Sequence, residues 1–388
     1  MHGVGLISGA LCLVTWLYLL ATRGRFWQVR RLDSPVPPAP IVGGIIAVVI
    51  PARDEADVIG MTVESLLQQT CAEALRIFVV DDHSSDGTAD VVRRAALAGG
   101  RPEWVEVVSG AALPAGWTGK LWAVQQGVER ALKLQPRFLL LTDADIRHDP
   151  NNIATLVAIA EAGDCDLASF MVKLHCRSFA ERLLIPAFVF FFFMLYPPEW
   201  IRDERRRTAG AAGGCMLIRP QALQKAGGMA AIRDQIIDDC ALARAVKHSG
   251  GRVWLGVTPD TASTRAYTSF DGIERMIART AFNQLQHSTV LLAGSMVGLA
   301  IGYLVPVVLL VGGDAVLVAL GAASWLLMAM AYAPMVRYYG LSAGWALTLP
   351  AAAIFYMGAT IHSAVKFWSG RGGEWKGRAQ DSVGTGFS

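Results

Sequence analysis

Phe138-Leu139-Leu140-Leu141-Thr142-Asp143-Ala144-Asp145 is the stretch on which the reading of this chain turns. Four apolar residues in a row, without alternation, fit a strand covered on both faces, as in a parallel sheet flanked by helices. In open α/β sheets, ligands collect beyond the carboxyl ends of the strands. A D-x-D there sets two carboxylates, Asp143 and Asp145, where they can share a hard divalent cation, and such a cation commonly carries substrate phosphates. Acidic pairs also cap helices or sit solvated on loops, so the triplet takes its meaning from its surroundings.

Upstream, strand and helix patterns alternate. Residues 45–50 read as a buried strand, 56–69 as a helix, and 76–80 as a second strand running into Asp81-Asp82. Ser85 or Asp86 can cap a helix that continues through Ala98 and stops at Gly99-Gly100. Residues 105–108 give a third strand, 121–134 a third helix, and 138–142 the strand quoted above. Repeated βα units predict an α/β fold with a mostly parallel sheet of the nucleotide-binding kind. No G-x-G-x-x-G follows the first strand and no G-x-x-x-x-G-K-[ST] is present, which disfavours a dinucleotide fold and a P-loop. Instead the strands end in acid and polar groups: Pro51-Ala52-Arg53-Asp54-Glu55, then Asp81-Asp82-His83-Ser84-Ser85-Asp86, then the D-x-D. Carboxylates there can accept from a uracil N3–H or from ribose hydroxyls. Helix capping accounts for one such cluster; three at one sheet edge point to a nucleotide site.

The 388 residues are 53% hydrophobic and 17% charged, with mean hydropathy +0.39. The apolar excess lies at the two ends. Residues 4–21 carry no charge and are long enough to cross a bilayer. Arg23, Arg25, Arg30 and Arg31 follow and hold the next segment in the cytoplasm. A cleaved signal peptide would carry its charge before the apolar core instead. Three more spans are expected at 289–311, 315–333 and 341–365, with Gly312-Gly313-Asp314 as a tight turn and Arg337 in a cytoplasmic loop. Three spans conflict with a basic tail (Lys366, Arg371, Lys376, Arg378) that prefers the inside, so one segment is re-entrant or the tail is overruled. Residues 183–196 are short for a span; their phenylalanines, with Arg182 before them and Arg202, Arg205, Arg206 and Arg207 after, suit an interfacial helix on anionic headgroups. An ordinary core helix is the alternative. The expected organisation is an anchor at 1–24, a basic, proline-rich linker at 25–43, a cytoplasmic domain at 44–288, membrane helices at 289–366 and a tail at 367–388, placed in a cell inner membrane. Net charge is +3, which leaves no nucleic-acid footprint. The six cysteines show no CxxC or zinc spacing and read as reduced thiols.

Together, 51–55, Asp81-Asp82-His83-Ser84-Ser85-Asp86-Gly87-Thr88 and Asp143-Ala144-Asp145 resemble the family 2 inverting glycosyltransferases of GT-A fold, over roughly residues 45–288. Four further stretches resemble the hopanoid-biosynthesis-associated subgroup: Gly116-Trp117-Thr118-Gly119-Lys120-Leu121-Trp122-Ala123, the Phe-rich 183–196, Ala212-Gly213-Gly214-Cys215-Met216-Leu217, and 237–245 with Asp238-Asp239. That subgroup also has an N-terminal anchor and apolar C-terminal segments. The resemblance implies a GT-A nucleotide-sugar-binding domain with N-terminal and C-terminal transmembrane helices. It implies that Pro51, Arg53, Glu55, Asp81 and Asp82 line the nucleoside pocket, with a UDP-sugar as donor, and that Asp143 and Asp145 hold Mg2+ or Mn2+ against the diphosphate. Asp239 matches the second acid of the family's ED motif, the usual catalytic base; the pair here is Asp-Asp, which keeps the carboxylate.

Read from the residues alone, two acids at a helix start are favourable in themselves, while an attacking hydroxyl needs a group to take its proton. Lys120 adds positive charge near the diphosphate or is a solvated helix start. Gly213 and Gly214 let the backbone approach the donor sugar or form a plain turn. Where many membrane-bound relatives carry Q-x-x-R-W, this chain has Gln284-Leu285-Gln286-His287-Ser288, lacking both Arg and Trp, which argues against a polysaccharide synthase that threads its product. Gln284 and His287 approach the pyrophosphate or acceptor, or simply end a helix. The expected activity is sugar transfer to a lipid hydroxyl, beside other lipid-biosynthesis enzymes. Its rivals are a ceramide-like, carotenoid or polyprenyl-phosphate acceptor, and a catalytically silent scaffold.

Overall fold

The computed structural model describes residues 2–29, 36–38, 40–41, 43–370, 374–375 and 378–379. The expected linker and tail lie partly outside the described residues, as do Arg30, Arg31, Arg371 and Lys376. One unit of the fold comprises residues 32–175, 200–265 and 373–388, and a second comprises 1–31, 176–199 and 266–372.

The first unit is built on eight strands: β1 (Ile46–Ala52), β2 (Leu75–Asp81), β3 (Val105–Ser109), β4 (Phe138–Leu141), β5 (Ile146–Arg147), β6 (Leu167–Lys173), β7 (Met216–Ile218) and β8 (Val253–Ser263). They form one sheet in the order β3-β2-β1-β4-β7-β6-β8-β5. Every residue of β1 and β4 is buried, as unbroken apolar runs require. The four strands read from the βα pattern are mutually parallel. Beyond β4 the expectation of a mostly parallel sheet fails. β7 runs antiparallel to β4 and β6, β8 is parallel to β6, and β5 is antiparallel to β8, so the sheet is mixed. An apolar run reports burial on two faces and carries no sign for direction. β7 is three residues long and follows an excursion of the chain through the second unit, with no local βα crossover to impose a direction.

Helices Ile59–Leu67, Thr88–Ala98, Gly119–Leu132 and Asn152–Ala162 alternate with the strands. Gly119–Leu132 packs directly on β1 and β2 at Gly127, where a Cβ would lie 3.0 Å from Val80 Cγ2 and closer still to Val49. Gly100, at φ +69°, ends Thr88–Ala98 in the left-handed conformation that glycine adopts freely.

Among the described residues, five helices are long and apolar enough to cross a membrane: His2–Thr22, Phe179–Arg202, Thr289–Leu310, Ala315–Tyr338 and Ala343–Trp368. Arg337 falls in the last turn of Ala315–Tyr338 rather than in a loop, and Asp314 caps that helix by accepting from Val316 N–H and Leu317 N–H at 2.9 and 3.0 Å. The stretch expected at 183–196 starts earlier because Ser178 and Glu181 form a capping box. Its length and apolar composition invite a transmembrane reading beside the interfacial one. In the chain, β1 to β6 precede this helix and β7 and β8 follow it.

Candidate active site

Two loops at the carboxyl ends of β1 and β2 are clasped together. Asp54 (φ +50°) and His83 (φ +57°) adopt left-handed conformations, which short polar residues tolerate better than most. Asp54 N–H donates to Ser84 Oγ (2.9 Å) and Ser85 N–H donates to Asp54 Oδ1 (2.7 Å). Glu55 N–H donates to Thr88 Oγ1 and Ala56 N–H to Asp86 Oδ2, each at 2.9 Å. Asp86 also accepts from Thr88 N–H and Oγ1, so its carboxylate ties helix Thr88–Ala98 to the β1 loop. Slight burial nudges the Asp86 carboxyl upward, and these donors outweigh it and hold the group below its ordinary value.

The residues expected to line a nucleoside pocket meet on this edge. Pro51 is buried in β1, and Arg53 donates to Asp82 O at 2.6 Å with its guanidinium 3.6 Å from the buried Asp82 carboxylate. Asp81 Oδ1 accepts from Ser84 N–H at 3.0 Å. Gly110, just past β3, comes so close that a Cβ would stand 3.0 Å from Asp81 O. Glu55 is also here, engaged by Arg265.

The D-x-D turn is fixed through its backbone. Ala144 O accepts from Thr62 Oγ1 (2.7 Å), and Asp145 O accepts from Thr264 N–H (2.8 Å) and Oγ1 (3.0 Å). The Asp145 carboxylate accepts from Ser263 Oγ (3.1 Å) and Arg265 Nε (3.0 Å). Burial and the neighbouring charge of Asp143 raise the Asp145 carboxyl above its usual range, partly offset by Arg265. Asp143 accepts from Lys120 Nζ at 2.9 Å, and the same ammonium lies 3.0 Å from Asp238. Burial would push Lys120 down; the two carboxylates override it and hold the ammonium above its ordinary value.

Asp238 and Asp239 open helix Asp238–His248. Asp239 Oδ2 accepts from Gly213 N–H (2.9 Å) and Oδ1 from Cys240 N–H (2.7 Å). Burial, then the charge of Asp238, push the Asp239 carboxyl up to about 6, against the pull of Lys120 and the two N–H donors. A cleft lined by Pro51, Lys120, Asp143, Gly213, Met229 and Asp238 runs between the nucleoside edge and this helix start. The Gly213 turn passes over both groups: a Cβ there would sit 3.5 Å from Asp239 Oδ2 and 3.6 Å from Lys120 Nζ.

Behind the turn, Thr142 Oγ1 donates to Gly214 O (2.7 Å) and lies 3.1 Å from His148 Nε2, while Asn152 Nδ2 is 3.0 Å from His148 Nδ1. With the threonine proton given to Gly214, Nε2 must donate and Nδ1 accept from Asn152, a neutral imidazole. Burial agrees, pushing His148 down to about 3.

Pattern reading had no means of finding Ser263, Thr264 and Arg265, which carry no motif and reach Asp145 from about 120 residues away. Asp238 is a partner of Lys120 rather than a plain helix-start charge. Gln284 and His287 are engaged within the second unit. Gln284 Oε1 accepts from the Tyr196 hydroxyl at 2.9 Å, and His287 stacks on Phe367 with ring centroids 4.0 Å apart. None of the six cysteines is joined in a disulfide.

Asp143 and Asp145 fit Mg2+ or Mn2+ as part of an oxygen set, since Mg2+ is usually bound by one or two carboxylates and completed by substrate phosphates and water. Among the described residues no group of three or more His, Cys, Asp or Glu could hold a metal by itself.

Residues 47–227 match the family model for glycosyl transferase family 2. A mannosyltransferase from Pyrobaculum calidifontis, solved in complex with GDP-Man and Mn2+, is 17% identical and aligns over 93% of this chain and 99% of its own, with TM-score 0.53. At that identity the likeness is one of fold, a GT-A-like α/β domain with a mixed sheet. Glucosyl-3-phosphoglycerate synthase from Mycobacterium tuberculosis, in complex with Mg2+ and uridine-diphosphate, is 16% identical over 68% of this chain and 83% of its own, with TM-score 0.40. No curated protein matches the chain.

Proposed function

We propose that this protein is a membrane-bound, metal-dependent, inverting glycosyltransferase that moves one sugar from a nucleotide-sugar to a lipid hydroxyl. The observation that carries the reading is Asp239: a half-buried carboxylate raised to about 6 and linked through Lys120 and Asp238 to the D-x-D. A carboxylate of that basicity suits a general base at neutral pH. The acceptor hydroxyl gives its proton to Asp239 as its oxygen attacks the anomeric carbon. The nucleoside diphosphate leaves from the opposite face, and a single displacement inverts the centre. Pro51, Arg53, Glu55, Asp81 and Asp82 hold the nucleoside, and Lys120 faces the diphosphate. Mg2+ or Mn2+ on Asp143 and Asp145 supplies positive charge to that leaving group when bound.

Five apolar helices support a membrane-embedded protein and a lipid acceptor, and Arg23 and Arg25 favour a cytoplasmic catalytic unit in a cell inner membrane. The resemblance of 116–123, 183–196, 212–217 and 237–245 to the hopanoid-associated subgroup makes a hopanoid the first acceptor to test, with neighbouring lipid-biosynthesis enzymes as partners. A UDP-sugar is the first donor, and the GDP-Man bound by the Pyrobaculum enzyme makes a GDP-sugar the second. The test compares lipid extracts of a deletion strain and its parent by mass spectrometry. Loss of a glycosylated lipid with build-up of its unglycosylated precursor is expected, and the mass difference names the sugar. Identical extracts would sink the lipid acceptor, and purified protein that turns over no nucleotide-sugar would leave the scaffold reading.

A further inference from the structure

Each carboxylate of the D-x-D already has a cation of its own. Asp143 is paired with Lys120 at 2.9 Å and Asp145 with Arg265 at 3.0 Å. Each cation is shared with a second acid, Lys120 with Asp238 and Arg265 with Glu55. The groups are partly shielded from solvent: side-chain exposure is 22% for Lys120, 29% for Arg265 and 13% for Asp145, with Asp143 the most open at 36%. A bare divalent ion arriving at Asp143 and Asp145 would be pressed against two positive side chains. It would also find only a short set of donors, since no third ligand completes a metal cluster among the described residues. A diphosphate removes both obstacles, because its oxygens fill the coordination shell and accept charge-assisted hydrogen bonds from an ammonium and a guanidinium.

We infer that Lys120 and Arg265 are internal counter-ions that make the divalent metal and the nucleotide diphosphate bind as a unit. Without donor they neutralise Asp143 and Asp145; with donor they turn to the diphosphate and release the two carboxylates to the metal. Metal alone and nucleotide alone are each held weakly. The inference rests on reading the site as a nucleotide-sugar site.

The test is binding, on the full-length protein in detergent. Free Mn2+ is measured by electron paramagnetic resonance with and without UDP, and UDP binding by calorimetry with and without Mn2+. UDP should tighten Mn2+ binding roughly tenfold or more, within the ~5–150-fold range usual for coupled sites. Lys120→Gln and Arg265→Gln, shown to be folded by their melting curves, should bind Mn2+ alone more tightly than the parent and lose most of the coupling. If a glutamine variant unfolds, the charge-keeping Lys120→Arg must retain the coupling. Equal Mn2+ affinity with and without UDP in the parent overturns the inference, and so do folded glutamine variants that couple as the parent does or a Lys120→Arg that does not couple. Absence of UDP and GDP binding under every condition would instead overturn the nucleotide-site reading on which it rests.

Discussion

Asp239→Asn keeps the shape of the side chain and removes the proton acceptor. Positioned general bases contribute about 10²–10⁴ in rate, so turnover should fall by that factor. Nucleotide affinity should hold, because Asp239 is bonded to Gly213 and Cys240 and not to the nucleoside loops. The parent's pH profile gives a second reading. A group that ordinarily titrates at 3.8 is pushed up to about 6, and a base works only when ionised. Turnover should therefore climb roughly tenfold per pH unit below about 6 and level off above it. The same shift acts on stability. The folded state binds the proton more tightly than the unfolded chain, so stability present near pH 4 is lost as pH rises through 6. At about 1.4 kcal/mol per pKa unit the ceiling is about 3 kcal/mol, and solvent reaching the half-buried side chain lowers it to about 1–2 kcal/mol. Asparagine never ionises, and it gives up one of the two N–H bonds at a roughly constant ~1 kcal/mol. The melting temperature of Asp239→Asn relative to the parent should thus climb between pH 4.5 and 7.5. Initial rates with the nucleotide-sugar across pH 5–8, and melting by intrinsic fluorescence, measure both. A flat parent profile, or an Asp239→Asn enzyme within tenfold of the parent, would refute the assignment.

Asp238→Asn removes the neighbouring charge that helps raise Asp239, so the acid limb of the rate profile should move to lower pH; an unmoved limb means the two carboxyls do not interact. Asp145→Ala should abolish transfer while the protein stays folded, and EDTA should do the same reversibly; full activity in EDTA without added metal contradicts the metal role of Asp143 and Asp145. His148, neutral and pushed down to about 3 from an ordinary 6.5, adds stability that is full above pH 6.5 and fades as pH falls toward 3. The melting advantage of the parent over His148→Asn should shrink between pH 7 and 4, and a constant gap would show that the imidazole is not buried neutral.

What the sequence determined by itself is the part of this protein that is local. The unbroken apolar runs of β1 and β4 announce burial on both faces, and Gly99-Gly100 ends a helix through backbone freedom. The acids after β1, β2 and β4 had to arrive together once those strands were parallel neighbours. The tertiary structure alone decided the rest. The direction of β7 appears only in its antiparallel pairing with β4 and β6. Arg265 reaches Asp145, and Lys120 joins Asp143 to Asp238, through side-chain contacts between segments far apart in the chain. A residue pattern encodes how much of a segment is covered and how its backbone bends. Which distant charge meets which is set by packing of the whole unit, where pairing two half-buried ions costs less free energy than leaving either alone.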